Sequence, residues 1–220
     1  ILDLDADRGT ALAAELGGAF HRLDVTDAGA CAAVLAEVAG DGRLDLMVNC
    51  AGIAPGAKTV GKGGAHDPDL FARTISINLL GTFHCASAAA AIMAAQDGRG
   101  PDGERGVIVN TASVAAYEGQ VGQIAYAASK GGVVAMTLPM ARDLAALGIR
   151  VVAIAPGLFL TPMLEGLPQE VQDSLGRQVP YPSRLGDPAE FASLVAHVAT
   201  NRMLNGEVIR LDGAIRMAPR

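Results

Sequence analysis

Short apolar runs alternate with helical patterns along the whole chain. The apolar runs that predict strands cover residues 1–4, 19–23, 44–50, 107–111, 150–155 and 207–211. The segments with helical periodicity cover residues 8–16, 28–39, 67–94, 123–147 and 188–200. Strands that alternate with helices in this way predict an α/β fold, with a parallel sheet and helices on both of its faces. Residues 1–220 contain no internal repeat and are predicted to form a single domain.

Polar or turn-forming residues follow most of the predicted strands. Asp3, Asp24, Asn49, Ser113 and Pro156 all fall at or just after the carboxyl ends of these runs. Ligands of open parallel sheets bind at that end of the strands. The pattern therefore predicts one ligand site, built from several loops at the same edge of the sheet.

Residues 107–130 carry the most informative chemistry. Tyr126 and Lys130 are four residues apart in a predicted helix, so they lie on one helix face. Ser113 follows the strand 107–111 and can face them. The three side chains supply a phenol that moves a proton, an ammonium that lowers the pKa of the phenol, and a hydroxyl that holds a carbonyl oxygen. These groups suit the interconversion of an alcohol and a ketone beside a hydride-carrying cofactor.

Simpler interpretations exist for each of these residues. Tyr126 and Lys130 could form an ordinary surface pair, and Ser113 could be a turn serine at the end of a strand. A serine-hydrolase site is excluded because Ser113 lacks a G-x-S-x-G elbow and no histidine is placed by sequence as its base. The four histidines show no metal-ligand spacing and the chain has no C-x-x-C pair, so no metal is predicted.

Composition narrows the possible partners. The net charge is −6 and the pI is near 5.1, so a small-molecule substrate is expected and no nucleic acid. Cys31, Cys50 and Cys85 are scattered and fit a reducing compartment better than a disulfide framework. The longest apolar run, residues 86–95, is shorter than the ~20 residues that span a bilayer. We expect no membrane span and a cytoplasmic location, with a targeting segment ahead of residue 1 as the open alternative.

The chain resembles the short-chain dehydrogenase/reductase family. Besides Ser113, Tyr126 and Lys130, the resemblance rests on Asn49-Cys50-Ala51-Gly52, on Asn78 within residues 76–81 and on Pro156-Gly157, all in family order. It covers essentially the whole chain and implies a Rossmann-like, doubly wound parallel sheet. Within the family the chain is most similar to the type-2 3-hydroxyacyl-CoA dehydrogenases. The stretches that carry this finer similarity are residues 110–123, 154–159, 180–188 and 205–217.

The resemblance fails at the amino terminus. Family members begin with a strand and a T-G-x-x-x-G-x-G turn, and no stretch of this chain supplies that turn. Residues 1–5 resemble the second strand of the family, so the chain looks short by roughly 30 residues, the length of one βα unit. Because the absent strand lies in mid-sheet, its loss would leave the first two strands here without their neighbour. We expect the segment to be present in the natural protein.

The resemblance implies a catalytic set of four residues. Tyr126 would be the general acid and base, and Lys130 would lower the pKa of the phenol and hydrogen-bond the nicotinamide ribose. Ser113 would hold the substrate oxygen and steady its developing charge. Asn78 would complete the set by holding a helix bend and a water in a proton relay to Lys130. The alternative for Asn78 is a polar residue in a helix interior.

A nicotinamide dinucleotide is the cofactor that the resemblance implies, and NAD in particular. The Asp3 carboxylate would accept both hydroxyls of the adenosine ribose and would repel a 2′-phosphate. Arg8 lies a few residues on and keeps NADP open, and an ordinary strand-end acid is the other interpretation of Asp3. The positions that match cofactor contacts in the family are Asp3, Asp24, Val25, Asn49, Cys50, Ala51, Gly52, Tyr126, Lys130, Pro156, Phe159 and Thr161.

These cofactor positions divide along the dinucleotide. Asp24 and Val25 match residues that meet the adenine, and residues 49–52 match a backbone turn against the adenosine ribose, where small residues allow close approach. Phe159 and Thr161 match positions at the nicotinamide end. Ordinary loop chemistry is the alternative for the Asp24 pair, and loop packing competes for Phe159.

The implied reaction is an NAD-dependent interconversion of (S)-3-hydroxyacyl-CoA and 3-oxoacyl-CoA, a step of fatty acid metabolism. A hydroxysteroid or another hydrophobic secondary alcohol is the alternative substrate, and a non-catalytic scaffold is the alternative of another class. Ser113, Gln123 and Tyr126 are the predicted substrate contacts, and residues 158–182 are predicted to be a lid. Residues that could meet the phosphates of CoA, or be solvated loop charges, are Lys58, Lys62, Arg99 and Arg105.

Family members are commonly tetramers, so a homotetramer is expected. The segments that could form its interfaces are residues 83–95, 131–141 and 209–217. Burial against the protein's own sheet is the alternative for all three.

Overall fold

Strands and helices alternate through most of the structure. The computed structural model describes residues 1–40, 42–161, 164 and 166–219. The strands are β1 (Leu2–Asp3), β2 (His21–Arg22), β3 (Leu46–Asn49), β4 (Val60–Gly61), β5 (Gly64–Ala65), β6 (Gly106–Thr111), β7 (Ile149–Pro156) and β8 (Val208–Leu211). The helices are α1 (Ala6–Glu15), α2 (Ala28–Ala39), α3 (Pro68–Ile75), α4 (Gly81–Ala95), α5 (Ala115–Glu118), α6 (Ile124–Ala145), α7 (Gln169–Gly176) and α8 (Pro188–Thr200). A π-helical turn, Ser76–Leu80, joins α3 to α4.

A parallel sheet in the order β3-β6-β7-β8 forms the centre of the fold. Its register pairs Val48 with Val109 and Val109 with Val152. Helices cover both faces: Ile108 and Val151 lie in the core cluster under α2 and α4, whereas Val109 and Val152 pack with residues of α8. Because both faces are covered, β6 and β7 are apolar almost without interruption. The predicted Rossmann-like sheet is confirmed.

The first two strands stand apart from this sheet. β1 and β2 pair in parallel with each other, with Leu2 opposite His21. Within the described part of the chain neither strand is paired with β3. Among the described residues, β3 is therefore an edge strand of the central sheet.

Two of the three cysteines meet in the core between α2 and α4. Cys31 and Cys85 are free thiols with their sulfur atoms 3.6 Å apart, so they are not scattered as the sequence suggested. Burial raises the pKa of the Cys85 thiol to about 12. Both side chains therefore behave as small apolar core groups.

One continuous helix runs from Pro68 to Ala95 through the π-helical turn. By length and composition alone, it is the one helix of the described residues that could cross a membrane. Much of it is core: Ala86, Ala89 and Met93 are fully buried in the cluster that covers the sheet. This packing accounts for the apolar composition of the helix, which is longer than the apolar run of residues 86–95 noted in the sequence.

Three elements differ from the sequence predictions. Val60–Gly61 and Gly64–Ala65 pair as a hairpin that the sequence analysis does not predict, and Gly64 has φ 110°. That conformation suits glycine and closes the turn. Helices α5 and α7 were not predicted because each is short, with 4 and 8 residues, and periodicity needs longer segments.

Adjacent glycines of α6 provide a matched test of how tightly the π-helical turn is packed. A Cβ on Gly132 would lie 2.6 Å from Leu79 Cδ2, whereas a Cβ on Gly131 meets nothing within 4 Å. Gly131→Ala should raise the free energy of unfolding by up to about 1 kcal/mol, because alanine favours the helix. Gly132→Ala should lower it by about 1–3 kcal/mol through overpacking. Urea denaturation measures both, and equal effects would contradict the packing described here.

Candidate active site

Tyr126, Lys130 and Ser113 converge at the carboxyl end of β6. Helix α6 starts at Ile124 and places Tyr126 in its first turn. Ser113 lies two residues beyond β6, where its Oγ accepts from the amide of Ala115, the first residue of α5, at 3.1 Å. Ser113 is 7% exposed. The surface-pair interpretation of Tyr126 and Lys130 does not hold, since Lys130 is only 4% exposed.

The Lys130 ammonium is directed to the end of β6. Its Nζ donates to the Thr111 carbonyl oxygen at 2.7 Å and lies 5.9 Å from the centroid of the Tyr126 ring. Burial lowers the pKa of Lys130 to about 8, and the nearby Cys50 thiol acts in the opposite direction. The site therefore holds an ammonium that is easier to deprotonate than a solvated lysine.

The pKa of Tyr126 differs from the sequence prediction. Burial raises the pKa of the phenol, and the interaction with the Ser113 side chain opposes the rise. Lys130 is not among the causes. The physical reason is that the ammonium points to the Thr111 carbonyl and is itself destabilised by burial. In the chain alone the phenol is therefore held in its neutral form, ready to donate a proton.

Asn78 sits in the π-helical turn and is fully buried. Its Oδ1 accepts from the Ile53 amide and its Nδ2 donates to the Ile53 carbonyl oxygen, each at 2.8 Å. The side chain thus clamps the backbone that follows β3. The expected helix distortion at Asn78 is present as the π-helical turn, whereas its role in a proton relay stays a prediction.

Ser129 belongs to the same cluster and was missed by the sequence analysis. Its Oγ accepts from Asn78 Nδ2 at 3.0 Å and donates to the Tyr126 carbonyl oxygen at 2.7 Å. The signal available in the sequence was a lone hydroxyl among small apolar residues, one position before Lys130.

The segment Asn49-Cys50-Ala51-Gly52 passes along this cluster. Asn49 is buried at the end of β3, where its Nδ2 donates to Asn110 Oδ1 at 2.9 Å. Thr111 Oγ1 donates to Cys50 Sγ at 3.5 Å. A Cβ on Gly52 would lie 3.2 Å from Asn78 Oδ1 and 3.7 Å from Lys130 Nζ. Because of these close contacts, only a small residue fits at position 52. Ala51 and Gly52 are exposed on the side that faces away from Asn78.

The predicted adenosine contacts lie at the ends of β1 and β2. Asp3 and Arg8 line one surface depression, and Asp3 Oδ1 accepts from the Asp5 amide at 2.9 Å. Asp24 is exposed, and its hydrogen bonds with the Thr26 amide and hydroxyl hold the pKa of its carboxyl below the usual value.

Val25 follows Asp24 and packs on the helix that carries the π-helical turn. Its carbonyl oxygen is 3.0 Å from His84 Nδ1, and a Cβ on Gly81 would lie 2.5 Å from Val25 Cγ2. Val25 is therefore held in place by α4. Its backbone contact with an adenine stays a prediction.

Loops after β7 carry the residues predicted for the nicotinamide end. The Pro156 carbonyl oxygen accepts from the Val114 amide at 3.1 Å, which joins the end of β7 to the loop of Ser113. Phe159 packs on Gly186, where a Cβ would lie 2.8 Å from the ring. Thr161 is half-buried. The packing on Gly186 supports the loop-packing interpretation of Phe159.

Gln123 immediately precedes α6, and its Oε1 accepts from the Gln120 amide at 2.9 Å. This contact orders the turn ahead of Tyr126. Gln123 also lines a groove with Lys58 and Val60 of the β4–β5 region. Its contact with a substrate stays a prediction.

Two of the four candidate cations for a CoA phosphate have structural partners. Arg105 donates from Nε to the Gln96 carbonyl oxygen at 2.7 Å and from Nη1 to that of Leu147 at 2.9 Å. Arg99 lies 3.7 Å from an Asp45 carboxylate oxygen. Arg105 therefore anchors a loop, whereas Lys58 and Lys62 are exposed beside or within the hairpin.

The predicted lid, residues 158–182, contains α7. Positions 162, 163 and 165 lie outside the described residues, so that part of the lid is not assessed. Val179 is buried and lines an apolar pocket with Leu158 and Phe159.

Comparison with known proteins finds relatives along the full chain. A family model described as Enoyl-(Acyl carrier protein) reductase matches residues 1–215. The 3-hydroxyacyl-CoA dehydrogenase type-2 of Homo sapiens is 55% identical over 226 residues, covering 100% of this chain and 85% of that protein. The protein of the same name from Drosophila melanogaster is 52% identical over 225 residues, covering 100% and 88%. The crystal structure of 3-hydroxyacyl-CoA dehydrogenase type-2 from Mycobacterium avium matches with a TM-score of 0.94 at 43% identity, covering 100% and 86%.

Proposed function

Because this chain belongs to the short-chain dehydrogenase/reductase family, we propose that it interconverts (S)-3-hydroxyacyl-CoA and 3-oxoacyl-CoA. It is an oxidoreductase of that family and acts on a small-molecule substrate. One observation carries the substrate proposal: buried Ser113 and Lys130 meet half-buried Tyr126 in a chain that is 55% identical, along its whole length, to a 3-hydroxyacyl-CoA dehydrogenase. This substrate class places the reaction in fatty acid metabolism.

The family implies a nicotinamide dinucleotide, and the residues present fit such a group. The buried Lys130 ammonium makes one hydrogen bond within the described residues, so two of its three N–H donors remain for ribose hydroxyls. Gly52 leaves open the space beside Lys130 that a larger residue would fill. When bound, the cofactor accepts or delivers the hydride.

We propose NAD as the preferred dinucleotide. Asp3 lies at the end of β1, where its carboxylate would accept the ribose hydroxyls and repel a 2′-phosphate. Arg8 lines the same depression, so the preference depends on the balance between these two charges.

The chain's own residues account for the proton chemistry of the proposed reaction. Ser113 donates a hydrogen bond to the substrate oxygen and stabilises charge that develops there. Tyr126 donates its phenolic proton to the oxygen of a ketone, or accepts the hydroxyl proton of an alcohol. Lys130 stabilises the phenolate that forms after donation through its positive charge. The burial of Lys130 and the partial burial of Tyr126 strengthen these interactions, because less water surrounds the charges.

We also propose a homotetramer in the cytoplasm. Large apolar side chains are exposed on the helices predicted to form contacts, among them Phe83 (47%) of α4 and Leu138 (44%) of α6. The free cysteines of the described structure support a reducing compartment.

The first test is a cofactor absorbance assay with acetoacetyl-CoA. NADH and NADPH are compared for the wild-type chain and for Asp3→Ser, with Tyr126→Phe as the inactive control. Turnover with NADH is expected. Asp3→Ser should lower the ratio of kcat/KM with NADH to kcat/KM with NADPH about tenfold, which is the effect of one lost charged hydrogen bond. Turnover with NADPH alone would overturn the Asp3 assignment. Turnover only with hydroxysteroids or other alcohols would overturn the substrate, and no turnover with any of them would favour a scaffold.

A further inference from the structure

Ser129 links the helix that carries Tyr126 and Lys130 to the π-helical turn that carries Asn78. The side chain is fully buried. Its Oγ donates to the Tyr126 carbonyl oxygen at 2.7 Å and receives a hydrogen bond from Asn78 Nδ2 at 3.0 Å. A serine hydroxyl has a single proton, and the carbonyl oxygen takes it. The part of Asn78 that faces Ser129 therefore has to be the NH₂ group.

This orientation of Asn78 is the one that the backbone of Ile53 requires. The Ile53 amide donates to Asn78 Oδ1, and the Ile53 carbonyl oxygen accepts from Nδ2, both at 2.8 Å. A flipped amide would bring donor to donor and acceptor to acceptor at Ile53. It would also leave Ser129 Oγ facing an oxygen, so Ser129 disfavours the flipped form.

The clamped backbone borders the catalytic lysine. Gly52 immediately precedes Ile53, and a Cβ there would lie 3.7 Å from Lys130 Nζ. Helix α6 therefore contacts the backbone of Gly52 and Ile53 in two ways. Lys130 lies beside Gly52, and Ser129 is linked to Ile53 through Asn78. Removing the Ser129 hydroxyl would leave one Nδ2 hydrogen without its partner in a place that water does not reach.

We propose that Ser129 is a positioning residue that acts through Asn78 and holds the backbone of Gly52 and Ile53 against Lys130. The kinetic consequence rests on the dehydrogenase function proposed above, whereas the structural consequence does not. In the simpler alternative, the Ser129 hydroxyl only donates a hydrogen bond to a carbonyl oxygen of its own helix. Another residue of α6 has a hydroxyl that makes only such a bond.

Thr137 is the matched control for that simpler role. It lies on α6, about 12 Å further along the helix axis, and is fully buried. Its Oγ1 donates to the Val133 carbonyl oxygen at 2.8 Å, one turn earlier in the helix. Thr137→Val removes a buried hydroxyl and its backbone hydrogen bond while keeping the shape of the side chain, and it leaves Asn78 untouched.

Hydrogen exchange at the Ile53 amide tests the positioning without any activity assay. In Ser129→Ala we expect this amide to exchange about tenfold faster than in the wild type, beyond any change shared by other amides. Thr137→Val should change Ile53 no more than its neighbours. An Ile53 rate that follows the other amides in Ser129→Ala would overturn the proposal. Should Ser129→Ala not fold, Ser129→Cys keeps the size with a weaker hydrogen-bonding group and should move Ile53 in the same direction.

A double-mutant cycle tests the kinetic consequence. Ser129→Ala should lower kcat with acetoacetyl-CoA and NADH about tenfold with little change in KM. In the Asn78→Ala background the same substitution should change nothing further, because Ser129 acts through Asn78. A full additional loss in the double variant, or a kcat within about twofold of wild type in Ser129→Ala, would refute the positioning role. A wild-type enzyme without turnover would instead refute the proposed function, and hydrogen exchange would then decide the role of Ser129.

Discussion

Tyr126→Phe is expected to lower kcat for the reduction of acetoacetyl-CoA by about 10³-fold, with little change in KM. The substitution removes the phenolic hydroxyl, the only group of that ring able to donate a proton to the substrate oxygen. Phenylalanine keeps the ring that lies 5.9 Å from Lys130 Nζ, so the packing of the site is retained. Steady-state kinetics at saturating cofactor, with thermal unfolding as a check of the fold, measures the effect.

Tyr117→Phe is the matched control for this prediction. Tyr117 lies on α5, beyond Ser113, and is 51% exposed. Its ring lies 5.5 Å from the Arg210 guanidinium carbon, a contact that phenylalanine preserves. We expect this variant to keep kcat within about twofold of the wild type. If Tyr126→Phe kept more than about a tenth of the wild-type kcat, Tyr126 would not be the general acid.

The central sheet could be predicted from sequence because its signals are local. Strands β6 and β7 are near-continuous apolar runs, and the buried residues of helix α6, among them Ala125, Val133 and Ala141, recur at helical spacing. The Tyr126 and Lys130 pair follows from the same periodicity. A spacing of four residues fixes two side chains on one helix face, whatever the rest of the fold does.

Individual contacts between distant segments could not be predicted from the sequence. The hydrogen bonds of Asn78 join it to Ile53, 25 residues earlier, and to Ser129, 51 residues later. No periodicity relates such positions. The same holds for Cys31 and Cys85, which meet only because α2 packs on α4. The predicted lowering of the Tyr126 pKa was wrong for the same reason, because the burial of the phenol and the hydrogen bond from Lys130 to the Thr111 carbonyl oxygen are tertiary properties.

Lys130→Met is expected to abolish turnover and, at neutral pH, to make the protein more stable. Burial lowers the pKa of Lys130 from 10.5 to about 8, so keeping the ammonium charged in the fold costs about 3 kcal/mol at neutral pH. Methionine fills the same space without a charge. The Thr111 carbonyl oxygen loses its hydrogen-bond donor in this variant, which lowers the free energy of unfolding by about 1 kcal/mol. The net gain in the free energy of unfolding is therefore about 2 kcal/mol, measured by urea denaturation.

The pH dependence of this gain identifies its origin. Between the folded pKa of about 8 and the unfolded pKa of 10.5, the unfolded wild type binds more protons than the folded form. Its free energy of unfolding therefore rises with pH in that window, relative to the methionine variant. The advantage of Lys130→Met should be constant below about pH 8 and should fall by about 3 kcal/mol as the pH rises to 10.5, which turns a gain of about 2 kcal/mol into a loss of about 1 kcal/mol. Exposed Lys62 provides the control, because Lys62→Met removes a surface charge and leaves the charge of Lys130 in the interior. An advantage that did not change with pH would mean that the charge of Lys130 is not what destabilises the fold.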